Sequence, residues 1–240
     1  MSLESQVAEL SSTCKQLIDY FNGKVAAINA AVSAAVAAAP AISRTFYVDS
    51  QTGSDENLGT RASPFKTLQR AVDSTPSGGN LDVTLLRDYA LDVSVMMKGR
   101  RLMVRSELES PCKLILNEFT TADGLVRMGS FWQANHSPLE FANLTLVLPA
   151  SSAVVDRYCA LTFSSGSTAP LMLSLRFFNC GLELRGTFRG FLIGPESSVV
   201  GLGVTNTTIP AALAGRILPS VAAGTESKSL SNIITNVPTL

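Results

Sequence analysis

The apolar residues Leu3, Val7, Leu10, Cys14, Leu17, Phe21, Val25, Ile28 and Val32 follow one another in steps of four, three, four, three, four, four, three and four. The mean step is about 3.6 residues, so all nine fall on one stripe of a single helix. The early steps alternate as in a heptad, and the consecutive fours around Phe21 form a stutter that locally unwinds a supercoil. Gly23 weakens the helix beside that point by roughly 1 kcal/mol, and Pro40 ends it. At about 1.5 Å per residue the helix would extend almost ~60 Å, longer than a small domain is wide. Its stripe must therefore be buried against copies of itself or against another protein. The alternative is a pair of helices broken at Asn22-Gly23 and packed on their own domain.

Beyond Pro40 the composition changes. Phe46-Tyr47-Val48-Asp49 reads as a strand and residues 50–63 as a polar loop. Ser63-Pro64-Phe65 supplies an N-cap and a proline at the first helical position, predicting a short helix over 64–74 with Phe65, Leu68 and Val72 on one face. Pro76 and Gly78-Gly79 stop it. The remaining chain is a series of short runs rich in Leu and Val, at 81–86, 101–106, 113–117, 139–148, 171–178, 181–185 and 199–209. Few alternate strictly with polar residues, which predicts stacked strands buried on one side around a narrow core.

Phe141-Ala142-Asn143-Leu144-Thr145-Leu146 and Phe178-Asn179-Cys180-Gly181-Leu182-Glu183-Leu184 share a pattern, an aromatic strand end followed by Asn near a bend. On successive turns of a solenoid, such Asn side chains stack and satisfy backbone groups. Residues 215–240 carry Ile217, Leu218, Val221, Leu230, Ile233, Ile234 and Val237 in a Ser-, Thr- and Gly-rich run. That is too apolar for a solvated tail and too sparse for a core of its own. The expectation is an extended segment that wraps across neighbouring copies or covers the end of the body. The domain reading is a helical stalk over 1–39, a body over 44–214 and a tail over 215–240.

The string Phe46-Tyr47-Val48-Asp49-Ser50-Gln51-Thr52-Gly53-Ser54-Asp55-Glu56-Asn57-Leu58-Gly59-Thr60, followed by Ser63-Pro64-Phe65-Lys66-Thr67-Leu68-Gln69-Arg70-Ala71-Val72, is similar to the entry into right-handed parallel β-helices of the pectate-lyase-like kind. In that family a YVD-type strand, a GSD-containing loop and a PFKT-type amphipathic helix precede the first coils. The helix covers the open apolar end of the solenoid. Many bacteriophage tailspikes and tail fibres resemble this layout, and a helical leader before such a body resembles fibres in which three chains share an axis.

The resemblance implies a mainly β fold: an N-terminal α-helical, coiled-coil-like stalk followed by a short right-handed parallel β-helix-like body. About 160 residues follow the capping helix, enough for roughly five to seven coils at ~20 to 30 residues each. A β-sandwich body with the same entry is the alternative. The function implied is that of a non-enzymatic structural component of a phage particle. It would be a homotrimeric fibre or spike whose residues 1–39 dock onto the tail, baseplate or neck, carried in the virion and made in the host cytoplasm. A tailspike-like polysaccharide depolymerase or lyase and a passive module binding a host-surface glycan are the alternatives.

Composition narrows the classes further. Lysine plus arginine and aspartate plus glutamate both number 19. With no basic stripe to release counterions, nucleic-acid binding is disfavoured. The Ala-rich stretch over 26–41 follows a polar segment with Glu4, Glu9, Lys15 and Asp19, unlike a secretion signal, and it is too weakly apolar to insert in a membrane. Cys14, Cys112, Cys159 and Cys180 lack metal-ligand or CxxC spacing and read as free thiols.

No catalytic, metal or cofactor motif stands out. Asp82, Asp88, Asp92, Glu118, Asp123, Glu140, Asp156 and Glu183 are the carboxylates available for glycoside hydrolysis, which needs a pair about 5 to 9.5 Å apart. They read first as exposed turn carboxylates. The oxygen-rich Gly53-Ser54-Asp55-Glu56-Asn57 lacks the rest of a calcium loop. Gly201-Leu202-Gly203 lacks the third glycine of a phosphate loop and reads as a closely packed strand. Phe131, Trp132, Asn135 and His136 form the one aromatic, polar segment that could contact a sugar or a neighbouring protein, with a core anchor as the blander reading. The NxS/T triplets at Asn135, Asn143 and Asn206 read as turn chemistry.

Overall fold

The computed structural model describes residues 2–38, 42–109, 111–151, 158–166 and 172–240. Met1–Ala41 and Ile42–Leu240 form separate compact units. In the first, α1 spans Leu3–Ala38 without interruption. The Ser2 hydroxyl accepts a hydrogen bond from the Ser5 N–H at 3.3 Å, and Glu4 sits in the first turn, where it complements the helix dipole. The helix does not break at Asn22-Gly23. A single glycine costs about 1 kcal/mol, and the surrounding run of Ala, Lys and Ile sustains the helix through it. The paired-helix alternative is thereby replaced by one continuous rod of 36 residues.

The second unit opens with β1 (Ser43–Val48) and α2 (Leu68–Asp73), then proceeds in laps. β2 (Asn80–Leu85), β3 (Tyr89–Leu91) and β4 (Ser94–Met96) make the first. The second consists of β5 (Arg101–Arg105), β6 (Lys113–Leu116), a hairpin of β7 (Glu118–Thr120) and β8 (Val126–Met128), and β9 (Ser130–Trp132). β10 (Leu139–Ala142), β11 (Thr145–Leu148) and β12 (Ala160–Phe163) form the third, and β13 (Met172–Phe178), β14 (Gly181–Leu184) and β15 (Phe191–Gly194) the fourth. β16 (Val199–Thr205) and β17 (Ile233–Thr235) complete the order.

The first strand of each lap joins a seven-stranded sheet, β1-β2-β5-β10-β13-β16-β17. The second strands form β3-β6-β11-β14 and the third β4-β9-β12-β15. Among the described residues every pairing in these three sheets is parallel, and the β7-β8 hairpin is antiparallel. The antiparallel pairing of a β-sandwich is not adopted. Among the described residues four laps visit all three sheets, where the length allows roughly five to seven coils. Long loops and the hairpin lengthen them, as when Leu102 pairs with Leu139 and Leu139 with Leu175.

Parallel register without slippage stacks like residues in the core. Leu81, Leu102, Leu139, Leu175 and Leu202 form one inward row, and Val83, Val104, Phe141 and Phe177 another. The Phe141 and Phe177 rings stack at 5.8 Å, and Phe131 meets Phe141 edge-on at 5.4 Å. Asn143, Asn179 and Asn206 follow β10, β13 and β16 with φ of 55°, 54° and 47°. Asn tolerates that left-handed region better than most side chains. The Asn179 side-chain amide donates to Asn143 Oδ1 at 2.9 Å, so the two bends are bonded to each other as the shared pattern predicted.

One boundary differs from expectation. α2 begins at Leu68 rather than 64, because Thr67 is its N-cap and accepts from the Arg70 N–H. Pro64 and Phe65 stay extended: Phe65 bridges Val48, and its backbone bonds to Tyr47 and Asp49. Gly59 and Phe65 thus cover the outer edge of β1, which would otherwise be open to another chain. The helix buries Leu68, Ala71 and Val72 and packs on β1, β2 and β4. Residues 215–240 pack on the end of the body. Ile217, Leu218, Ile233 and Leu240 are buried with the rest of the core, and β17 extends the long sheet. Ile193 donates to the Ile217 carbonyl at 3.0 Å, continuing the pairing of β15.

Candidate functional site

Leu3, Val7, Leu10, Leu17, Phe21, Val25, Ile28 and Val32 are 53 to 77% exposed on α1, and Cys14 between them is exposed too. The continuous helix keeps all nine on one stripe. Ile18 and Tyr20, which the stripe reading passed over, are also more than half exposed and flank Leu17 and Phe21. Tyr20 meets Phe21 edge-on at 6.0 Å, and the Lys24 ammonium lies 5.4 Å from the Tyr20 ring centre. Their signal was available in the sequence as two large apolar side chains beside the periodic set. Among the described residues, no helix is long and apolar enough to cross a membrane.

The four residues of the aromatic segment do not form one surface. Phe131 is fully buried in the core on β9, a correction to its place in a surface loop. Alternation along the strand sends Trp132 to the opposite face, where it stacks on Phe163 at 6.2 Å with the planes 8° apart. Asn135 and His136 are exposed and both have left-handed φ, 55° and 57°. They form a bend, and the Ser137 hydroxyl closes it by donating to the Ala134 carbonyl at 2.5 Å.

The carboxylates distribute by local chemistry. Asp88 accepts from the Lys113 N–H at 2.7 Å, Glu183 pairs with Lys113 at 2.8 Å, and Asp123 accepts from the Thr121 hydroxyl. Asp156 lies outside the described residues. Glu140, on the outer face of the long sheet, takes a 2.8 Å ion pair from Arg101 and stands 4.0 Å from Arg176. Pairs that keep one partner in contact with water, as Arg176 does here, contribute about 0 to 1 kcal/mol. Beside them Met172 and Arg176 of β13 lie where side chains at Gly201 and Gly203 of β16 would stand.

Asp92 and Glu118 are the two carboxylates from adjacent laps that line one depression, of about 550 Å³, with Asn117, Pro149, Ala150 and Arg185. Asp92, Asn117, Pro149 and Arg185 each follow the last residue of β3, β6, β11 and β14. Parallel register therefore brings them to one corner. Aligning the strand ends would have found them, but the expected runs omitted β3. Arg185 is turned toward the corner by donating to the Leu116 carbonyl.

The loop at 49–57 is occupied with its own backbone. Asp49 is buried and accepts from the Gln51 and Thr52 N–H groups, the Thr52 hydroxyl and Arg87. Burial pushes its pKa up, but the Thr52, Gln51 and Arg87 interactions outweigh this and hold it below its usual value. Asp55 accepts from the N–H groups of Lys66 and Thr67 and from the Thr67 hydroxyl, which fixes the approach to α2. Both side chains therefore build the entry turn. Among the described residues, no three His, Cys, Asp or Glu side chains gather as a metal-holding set. Cys112, Cys159 and Cys180 are buried, and burial raises the pKa of Cys112 and Cys180.

No protein family and no curated protein matches the chain. Among solved structures, a rhamnogalacturonan lyase is similar to it at 11% identity over 68% of the chain, with a TM-score of 0.32. The chain spans 56% of the length of that lyase chain.

Proposed function

We propose that this protein is a non-enzymatic structural subunit of a bacteriophage particle, a self-associating fibre or spike whose N-terminal helix is its assembly and docking element. The observation that carries the reading is the exposed apolar stripe along the 36 residues of α1. Burying a side chain such as Leu or Val is worth about 1.5 to 3 kcal/mol, so a solvated stripe of this length is a strong drive to associate. The Ala-rich distal half has high helix propensity but little apolar area. A groove on a tail, baseplate or neck protein would supply the missing burial. The resemblance of the segment from Phe46 to Val72 to phage tailspike entries supports the setting.

The body, on this reading, is a short right-handed parallel β-helix. Support comes from the fixed order in which each lap visits three parallel sheets and from the Asn143–Asn179 bond. Its hand follows the general preference of parallel crossovers. The test replaces Leu10 and Leu17 with Asp in the full chain and measures mass by light scattering. Loss of the oligomer with an unchanged melting transition of the body is expected. An unaltered oligomer would remove the helix from assembly.

A second reading is supported by Asp92 and Glu118 at one corner, a carboxylate pair from adjacent laps beside Asn117 and Arg185. It makes the protein a tailspike-like polysaccharide depolymerase. Reducing ends released from capsular glycan by the wild type, and abolished in both D92N and E118Q, would establish it over the structural reading. Absence of release from the wild type would retire it.

A further inference from the structure

We propose that the outer face of the long sheet carries a site for an acidic side chain of another protein. Arg105 and Arg176 receive its carboxylate, and Met103 and Phe178 pack on the apolar residues beside it. The parallel register builds this site without any part of α1. Met103, Glu140 and Arg176 lie in one outward row across β5, β10 and β13, and Arg105, Ala142 and Phe178 lie in the next. Arg105 and Phe178 stand two strands apart, roughly 10 Å at the backbone. Ala142 between them is short, and a depression of about 280 Å³ opens over it.

The charges there do not cancel. Glu140 is taken by Arg101 at 2.8 Å and stands 4.0 Å from Arg176. The stem of Arg176 lies over Gly203, and its guanidinium is 5.9 Å from the Phe178 ring centre. Arg105 Nε is out of contact with water and has no hydrogen-bond partner among the described residues. Glu107 attracts Arg105 through space but takes its hydrogen bonds from Arg61. A buried N–H without an acceptor is unfavourable, and an incoming anion relieves it. Three arginines thus stand against the single Glu140, and a planar carboxylate matches the fork of a guanidinium.

The remaining walls select what carries that carboxylate. Apart from the charged groups, the depression is lined by Met103, Phe141, Ala142 and Phe178, with Asn143 as the uncharged amide among the described residues. Asn143 Oδ1 is already engaged by Asn179. The hydroxyls of a sugar acid would go unmatched against these apolar walls. An Asp or Glu flanked by aliphatic or aromatic side chains matches both halves, and Phe178 is 40% exposed to receive them.

The test is calorimetric titration of acetyl-Leu-Glu-Phe-amide into the full-length protein at low ionic strength. Binding that weakens with added salt is expected. Replacing Glu by Gln in the peptide, or making Arg105→Met or Arg176→Met, should each weaken it by about tenfold or more. Arg127→Met should leave it unchanged, since that Nε is also buried without a partner but Arg127 does not line the depression. The Glu and Gln peptides are compared on the unaltered protein, so the result stands even where a substitution fails to fold. Equal binding of the two peptides, or no binding of the first, overturns the site. Unchanged affinity in both arginine variants overturns their role. Tighter binding of methyl glucuronide than of the Glu peptide reassigns the depression to a sugar acid and overturns the protein partner. A fall in particle mass on Arg105→Met, read by light scattering, makes the occupant a second copy of this chain and overturns it equally.

Discussion

The side-chain amide of Gln133 forms two hydrogen bonds with the backbone of Ser174, donating from Nε2 to its carbonyl at 2.8 Å and accepting at Oε1 from its N–H at 3.1 Å. Leu139 pairs with Leu175, which sets Pro138 beside Ser174 just before β10 begins. Proline has no N–H to offer the ladder. The buried amide takes the place of a strand residue there, and its Nε2 also donates to Thr162 at 2.9 Å. Gln133→Leu keeps the volume but strands a buried donor and acceptor, so it should lower stability by about 3 kcal/mol. Urea unfolding of the variant checks this, and a change under ~1 kcal/mol would show that the backbone finds other partners.

Asn179 combines a left-handed backbone with the bond to Asn143. Asn179→Ala should cost about 2 kcal/mol, part from the Cβ strain and part from the lost amide. Asn179→Gly removes the strain alone and should recover roughly half. Thermal melts of the two variants separate the contributions. Equal losses would mean that the side-chain bond dominates.

Asp49 makes stability depend on acid. Its carboxyl pKa is lower in the folded chain than the ordinary 3.8. The unfolded chain therefore binds the proton more readily, and stability is fully present above that ordinary value and lost as pH falls through the folded one. Asp49→Asn should flatten the decline below about pH 4 and reduce stability at neutral pH by about 1 to 2 kcal/mol. Denaturation midpoints from pH 7 to pH 2 provide the measurement. An unchanged acid profile would assign the transition to other carboxylates.

Gly53 and Gly201 should respond unequally to the same substitution. A Cβ on Gly53 would overlap the backbone carbonyls of Phe65 and Asp49, with the Phe65 carbonyl carbon at 2.7 Å. On Gly201 it would meet only the terminal methyl of Met172, which swings aside. Gly53→Ala should cost more than about 2 kcal/mol, whereas Gly201→Ala should stay within ~1 kcal/mol. Comparable losses in denaturant midpoint would contradict this reading of the entry turn.

α1 was legible in the sequence because a helix is local: its 3.6-residue period and its propensities act within one turn. Strands within the longer apolar runs were legible for a related reason. The expected runs at 81–86, 101–106, 113–117, 139–148, 171–178, 181–185 and 199–209 each overlap an observed strand, and Asn143 and Asn179 marked the bends after β10 and β13. β3, β4, β9, β12 and β15 fell outside those runs. Such strands exist because the neighbouring lap supplies their hydrogen bonds. Tertiary packing alone also separated Phe131 from the surface, folded Ile217 and Leu218 into the core, and held Pro64-Phe65 on the edge of β1. The corner of Asp92, Asn117 and Arg185 has the same origin. These residues are far apart in the chain, and only parallel register, set by which apolar rows stack, brings them together.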